Sequence, residues 1–301
     1  MTTFIGLSVL SVLMFGPTGV WLERASWPHK APRAAIALWQ AIGVTGALAA
    51  VGAGVALAVE PLHTGLLSGL GELLHGSSAG HPLPIKGIYE AIGLTLSANV
   101  VAILVAGVVI TASRTIASRR RHRILLDLVS TRSDQAPGAV LLSDSRATAY
   151  CLPGRRSRIV VSAGALDLLD SRELAAVVEH ERGHVQERHH LILLPFASMI
   201  EMLNWMPYVS RAPRAVRALL EMAADDYATR FHPPRVLASA LIRMVHPSSV
   251  PTCAFGASSG SVTNRVKRLI DPHRKSSVVA VTAGVAAVVL VIVPVVIMGL
   301  D

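Results

Sequence analysis

The residues best suited to chemistry are Glu179-His180-Glu181-Arg182-Gly183-His184, an H-E-x-x-H pattern on a predicted helix. Two histidines four residues apart lie one above the other on one helical face. Their neutral imidazoles can supply two ligands to zinc. Glu181 directly follows the first histidine, about 100° round the helix. Its carboxylate is placed to reach a water held by the metal without binding the metal. Zinc lowers the pKa of such a water toward neutrality, and a nearby carboxylate can take its proton. The alternative is a solvated helix end, because Glu187, Arg188, His189 and His190 make the region polar in any case.

A catalytic zinc needs a third protein ligand and an open position. Residues 213–230 read as a helix containing Glu221-Met222-Ala223-Ala224-Asp225-Asp226. Glu221 and Asp225 share a face one turn apart. Glu221 can complete a His-His-Glu set, and Asp225 can bond the free ring nitrogen of a ligand histidine and fix its tautomer. An acidic patch pairing with Arg214, Arg217 or Arg230 is the competing interpretation. His189, His190 and His232 are rival third ligands.

These residues need a scaffold, and its composition is unusual. The chain has 301 residues, 52% hydrophobic, only 16% charged and a net charge of +9. That is too apolar for an ordinary soluble domain. Four long apolar runs, at about 3–21, 34–59, 88–111 and 277–300, read as transmembrane helices. Basic residues cluster beside them: Arg24, Lys30 and Arg33, then Arg114 and Arg119 to Arg123, then Arg274 and Lys275. Topology and anionic lipid explain that charge, so direct nucleic-acid binding is not expected. Crossing at every run puts all three basic flanks on one side. The N- and C-termini and the loop holding His63, His75 and His81 then face outward, and the middle of the chain is cytoplasmic in the plasma membrane. Cys151 and Cys253 form no spaced metal set and suit a reducing compartment.

Residues 1–111 thus form a membrane region, 112–275 one cytoplasmic domain, and 277–300 a last helix. In the domain, Ile124 to Val129 reads as a basic helical piece. Val140 to Leu142, Ala147 to Leu152 and Arg158 to Ser162 read as strands. Asp170 is a predicted N-cap with Glu173 at the capping-box position, which starts the helix bearing the histidines. Leu191 to Val209 is apolar, but a lone crossing there would put His184 and Glu221 on opposite sides of the bilayer. A helix or hairpin packed on the domain, or dipping into the membrane surface, is expected instead.

His180-Glu181-x-x-His184, Asn204-Trp205-Met206-Pro207 and Glu221-x-x-x-Asp225 together resemble the BlaR/MecR-type integral-membrane metallopeptidases. Ala149 to Gly154, Arg158 to Ser162 and Glu173 to Val178 are similar to these and to the HtpX-like peptidases. The layout of three helices, domain and fourth helix favours the former. The resemblance implies a mainly α polytopic membrane protein with an α+β gluzincin (zincin-like) protease domain between helices 3 and 4. It implies one zinc per chain on His180, His184 and Glu221, Glu181 as general base, and Asp225 behind a ligand. A strand near the metal helix receives extended substrate in that family, and Ala149, Tyr150, Cys151 and Leu152 are the candidates here. The β-lactam receptors carry a penicillin-binding sensor after the fourth helix. This sequence stops at Asp301, so a stimulus is expected through the membrane helices, the outward loop or a partner.

The expected function is a zinc endopeptidase that cleaves a BlaI-type repressor, or itself, in signal transduction. The alternatives are an HtpX-like quality-control protease for membrane proteins, or a sensor or scaffold with a structural metal. Expected partners are a protein substrate, the lipid bilayer and, as a further option, a second copy of the chain.

Overall fold

The structure is a computed structural model that describes residues 1–60, 87–132, 138–154, 157–203, 210–245, 259–271 and 276–299. The segment with His63, His75 and His81, Asn204 to Pro207, Cys253, Arg274 and Lys275 lie outside the described residues. Among the described residues, four helices are long and apolar enough to cross a membrane: α1 (Thr2–Arg24), α2 (Pro32–Val59), α3 (Ile88–Val129) and a final helix, Ser277–Gly299. They mark a membrane protein. A π-helical turn at Met14–Thr18 carries Pro17 within α1, which accommodates the missing N–H.

These helices pack closely because small residues sit where they cross. A Cβ on Gly93 would fall 2.4 Å from the Gly54 carbonyl oxygen, and one on Gly54 would fall 2.8 Å from that of Gly93. Hydroxyls add interhelical bonds, Thr45 Oγ1 to the Leu290 carbonyl at 2.8 Å and Ser97 Oγ to the Val51 carbonyl at 2.9 Å. Where lipid gives no hydrophobic drive between helices, close contact and such bonds hold them together.

The third helix departs from expectation. The sequence predicts a span ending at 111 and a separate basic piece from Ile124, but one 42-residue helix runs from Ile88 to Val129. No glycine or proline occurs between Gly107 and Pro137 to stop it. The helix therefore continues beyond its apolar stretch as a basic shaft. That shaft braces the sheet: Arg123 Nη2 donates to the Pro153 carbonyl at 3.0 Å, and His122 Nε2 meets the Tyr150 hydroxyl at 2.8 Å.

Four short strands follow: β1 (Ser130–Arg132), β2 (Ala139–Leu142), β3 (Ala149–Leu152) and β4 (Arg158–Ser162). Their order is β1-β2-β4-β3, with β2 and β4 parallel and the other neighbours antiparallel. β3 is therefore an edge strand. Ser162, buried at the end of β4, caps the short helix α4 (Ala163–Leu168) by accepting from the Ala165 N–H. Next comes α5 (Ser171–Gln186). Its capping box is formed as the sequence predicts, with Asp170 Oδ1 2.8 Å from the Glu173 N–H and Glu173 Oε2 3.1 Å from the Asp170 N–H. Leu174, Val177 and Val178 of α5 pack on Ile159 and Val161 of the sheet.

The apolar stretch forms α6 (His189–Ile192) and α7 (Leu194–Leu203). α7 lies along α3, where a Cβ on Gly107 would touch Met202 and Ser198, and Arg114 pairs with Glu201. The remaining helices are α8 (Arg211–Ala228), α9 (Pro234–Met244), α10 (Ser259–Ile270) and the last membrane helix, α11 (Ser277–Gly299). One core joins the first turns of α2 (Ile36, Trp39) to Phe196 of α7 and to Val216 and Leu220 of α8. The helix that carries Glu221 is thus packed directly on a membrane-helix end.

Candidate metal centre

Two helices bring the candidate residues together. α5 supplies His180, Glu181 and His184, and α8 supplies Glu221 and Asp225. Gly183 sits at their contact: a Cβ there would meet Tyr227 Cβ of α8 at 3.0 Å. A larger residue would hold the helices apart.

The side chains converge. His180 Nε2 and His184 Nε2 are 3.3 Å apart. Glu221 presents Oε2 to the first at 3.6 Å and Oε1 to the second at 3.5 Å. A tetrahedral zinc with bonds of about 2.0–2.2 Å separates its ligand atoms by about 3.3–3.5 Å. The three residues therefore fit a metal ion by donor type and by spacing, and they form a group that could hold one. Glu221 lies deep in the molecule yet keeps 37% of its side chain accessible, which leaves an open side. His190 and His232 are not in this group.

Behind His180, Asp225 Oδ1 stands 3.0 Å from Nδ1, without the alignment of a hydrogen bond. Asp225 is buried, and Arg265 of α10 grips it with two bonds, Nε to Oδ2 at 2.8 Å and Nη2 to Oδ1 at 2.6 Å. The same guanidinium reaches Glu221 Oε2 at 2.9 Å. One arginine thus fixes both acidic residues. Beside it, Arg268 pairs with Asp226 at 2.7 Å. The acidic group is paired with arginine: Arg265 and Arg268, which α10 packs across the buried face of α8, hold Asp225 and Asp226, and Arg33 stands 3.8 Å from Asp226.

His189, a candidate third ligand by residue type, stands outside the three-residue group. α5 ends where Arg188 takes a left-handed conformation, φ 51°, and α6 turns back beneath it. His189 Nδ1 then meets His184 Nδ1 at 2.8 Å, on the side away from Glu221. The ring is buried and serves as a brace.

The charges follow from this packing. Burial pushes the Glu181 carboxyl up to about 7, with Glu221 adding to the rise, while His180 and the Cys151 backbone N–H oppose it. Burial would lower His180, but Asp225 and Glu221 outweigh it and hold the ring up at about 9. Burial takes His184 down to about 3, so it stays neutral. Burial would also raise Glu221 and Asp225. Arg265 and the histidines instead hold Glu221 well below the carboxylate range and Asp225 at about 2.

The edge strand β3 runs beside this cluster. Cys151 donates its N–H to Glu181, and burial together with Glu181 pushes its thiol up to about 12. Tyr150 faces His122, and Leu152 is buried in a small core with Leu126 and Val160.

Two histidines, a nearby glutamate and a carboxylate from a second helix thus stand together at the end of a bundle of apolar helices, and three of them could hold a metal ion. Residues 115–217 match the model of Peptidase family M48. The match spans His180, Glu181 and His184 but ends before Glu221, Asp225 and Arg265. It supports a metallopeptidase, and the four apolar helices make a membrane-associated one. No curated protein and no solved structure matches the chain.

Proposed function

We propose that this protein is a membrane-embedded zinc endopeptidase in which His180, His184 and Glu221 hold one zinc ion and Glu181 is the general base. The observation that carries this reading is the convergence of those three donors at separations of 3.3 to 3.6 Å. Bound zinc would supply Lewis acidity, polarising a peptide carbonyl and making water a better nucleophile. Glu181 takes a proton from the attacking water and returns it to the leaving amine nitrogen. Its elevated pKa suits a group that must both accept and release a proton near neutrality. Asp225, held by Arg265, keeps His180 Nε2 turned toward the ion. Ala149, Tyr150, Cys151 and Leu152 offer an edge strand beside the site on which an extended substrate can add its main chain.

Residues 112–275 form the protease domain, on the cytoplasmic side of the plasma membrane. Support comes from the basic flanks, which gather at the end where the site lies: Arg33 touches Glu187, and Arg114 touches Glu201. Basic residues favour the cytoplasmic side. The substrate is then a cytoplasmic or membrane protein. The BlaR/MecR-like layout favours a regulator such as a repressor, and quality control of membrane proteins is the alternative.

A Glu181→Gln variant tests this reading. It should keep metal and fold but lose cleavage by at least about a hundredfold. Accumulation of one transcription factor in cells carrying it would favour signalling, and accumulation of many damaged membrane proteins would favour quality control. Undiminished cleavage by Glu181→Gln would refute the assignment of the base.

A further inference from the structure

The two candidate histidine ligands are braced in different ways. His180 is backed by Asp225 and Arg265, both from helices of the same segment. His184 is backed by a chain that leaves this segment. Its Nδ1 meets His189 Nδ1 at 2.8 Å, His189 Nε2 meets Glu187 Oε2 at 3.3 Å, and Glu187 receives a two-pronged bond from Arg33 at 3.1 and 2.5 Å. Arg33 stands in the first turn of α2.

Only one proton arrangement satisfies every contact if His184 binds metal through Nε2. Nδ1 of His184 then carries its proton and donates to Nδ1 of His189. That leaves the His189 proton on Nε2, donated to Glu187, which as a carboxylate accepts it and the guanidinium of Arg33. Every donor meets an acceptor. A ligand histidine whose second nitrogen is held in this way has its tautomer and ring orientation fixed. His189 is buried and Arg188 is in a left-handed turn, so the geometry is built rather than incidental. Arg33 also donates to the Ala223 carbonyl at 3.0 Å, two residues from Glu221 on its helix. Seven residues further along α2, Gln40 Nε2 donates to the Ile192 carbonyl at 3.0 Å, at the end of α6.

We propose that Arg33 and His189 are positioning residues for the metal ligand His184, so that metal affinity depends on how the membrane helix α2 is seated against the site. This inference rests on His184 being a ligand, as proposed above. It makes α2 more than an anchor: tilting or sliding it pulls on Glu187 and turns the His184 ring. A change in the membrane or in a partner bound to the helices then has a direct route to the metal.

The test uses the full chain in mild detergent. Zinc affinity is measured by competition with a chromophoric chelator, and the visible spectrum of the cobalt-loaded protein reports ligand geometry. Arg33→Met and His189→Phe should each weaken zinc binding by about tenfold, the lower end for a group behind a ligand, and shift the cobalt bands. Glu187→Gln is isosteric and guards against misfolding; it should weaken binding in the same sense. Arg33→Lys keeps the charge but loses the fork, and should restore part of the affinity. Arg211→Met is the control, because Arg211 pairs at 3.1 Å with Glu23 of α1 and so also ties α8 to the membrane helices, away from His184. It should leave affinity and spectrum unchanged. Wild-type binding matched by Arg33→Met and Glu187→Gln overturns this inference alone, as does an equal loss in Arg211→Met. Wild-type protein that takes up neither ion overturns the metal reading and this inference with it.

Discussion

Replacing Arg265 with methionine should damage this protein more than any single change at its surface. The side chain is 5% exposed and carries three charge-assisted contacts, two to Asp225 and one to Glu221. Methionine fills similar space but leaves two carboxylates without their cation. Asp225 lies at about 2 against an ordinary 3.8, and at about 1.4 kcal/mol per unit this is on the order of 2–3 kcal/mol. Removing one member of a buried ion pair typically costs about 3–5 kcal/mol, so the two routes agree in scale. A loss of about 3 kcal/mol lowers a melting midpoint by about 6–12 °C. The assay is thermal unfolding of the metal-free chain in detergent at pH 7, beside Arg243→Met. Arg243 pairs with Glu173 but is half exposed, and its loss should cost less than about 1 kcal/mol. The pH dependence gives a sign check. A depressed aspartate stabilises above its ordinary pKa and ceases to do so as pH falls through its folded value. The gap between wild type and Arg265→Met should therefore be full at pH 7 and shrink between pH 4 and 2. Zinc should restore part of the lost stability, since a cation would then sit beside Glu221. An Arg265→Met protein that melts within about 2 °C of wild type, or no lower than Arg243→Met, would refute this account of the ion cluster.

Three further outcomes follow from the packing and charges of the site. Gly183→Ala sets a helix-propensity gain of about 1 kcal/mol against overpacking of about 1–3 kcal/mol at Tyr227, 3.0 Å away. Melting should fall modestly while zinc affinity falls several-fold, and Tyr227→Ala in the same chain should recover the affinity. Metal-free His180 holds its proton up to about 9, so zinc must displace it, and affinity measured by competition should rise with pH from 6 toward 9. Glu181 is pushed up to about 7 and a bound cation draws it lower, so peptidase activity should fall on the acid side with a midpoint at or below 7, and this limb should be absent in Glu181→Gln.

Much of the local structure was legible in the sequence, because it depends on neighbours. Asp170 and Glu173 announce a capping box, and it forms. Residues 158–162 read as a strand and are one. The spacing of His180, His184 and Glu221 put them on faces that could meet, and they do converge. The end of α3 was not legible, since a run of arginines looks like a boundary in charge while nothing in it stops a helix. Nor could the strand order be read, because the parallel pairing of β2 with β4 is decided by what packs above them. Arg265 was missed because its partners lie 40 residues away in sequence, on a helix with no motif of its own. Arg33 belonged to a basic flank that topology already explained, and its contact with Glu187 spans 154 residues. The sequence shows His189 only as an imidazole near the motif, and the left-handed turn at Arg188 is what sets its ring against His184 Nδ1.

The most direct test of the central claim is the metal content of the purified full chain in mild detergent, beside His184→Ala and Glu221→Ala. The account requires about one zinc per chain in the wild type, lost or much weakened in both variants. Undiminished zinc in Glu221→Ala, or no zinc in the wild type after the metal is supplied, would contradict it.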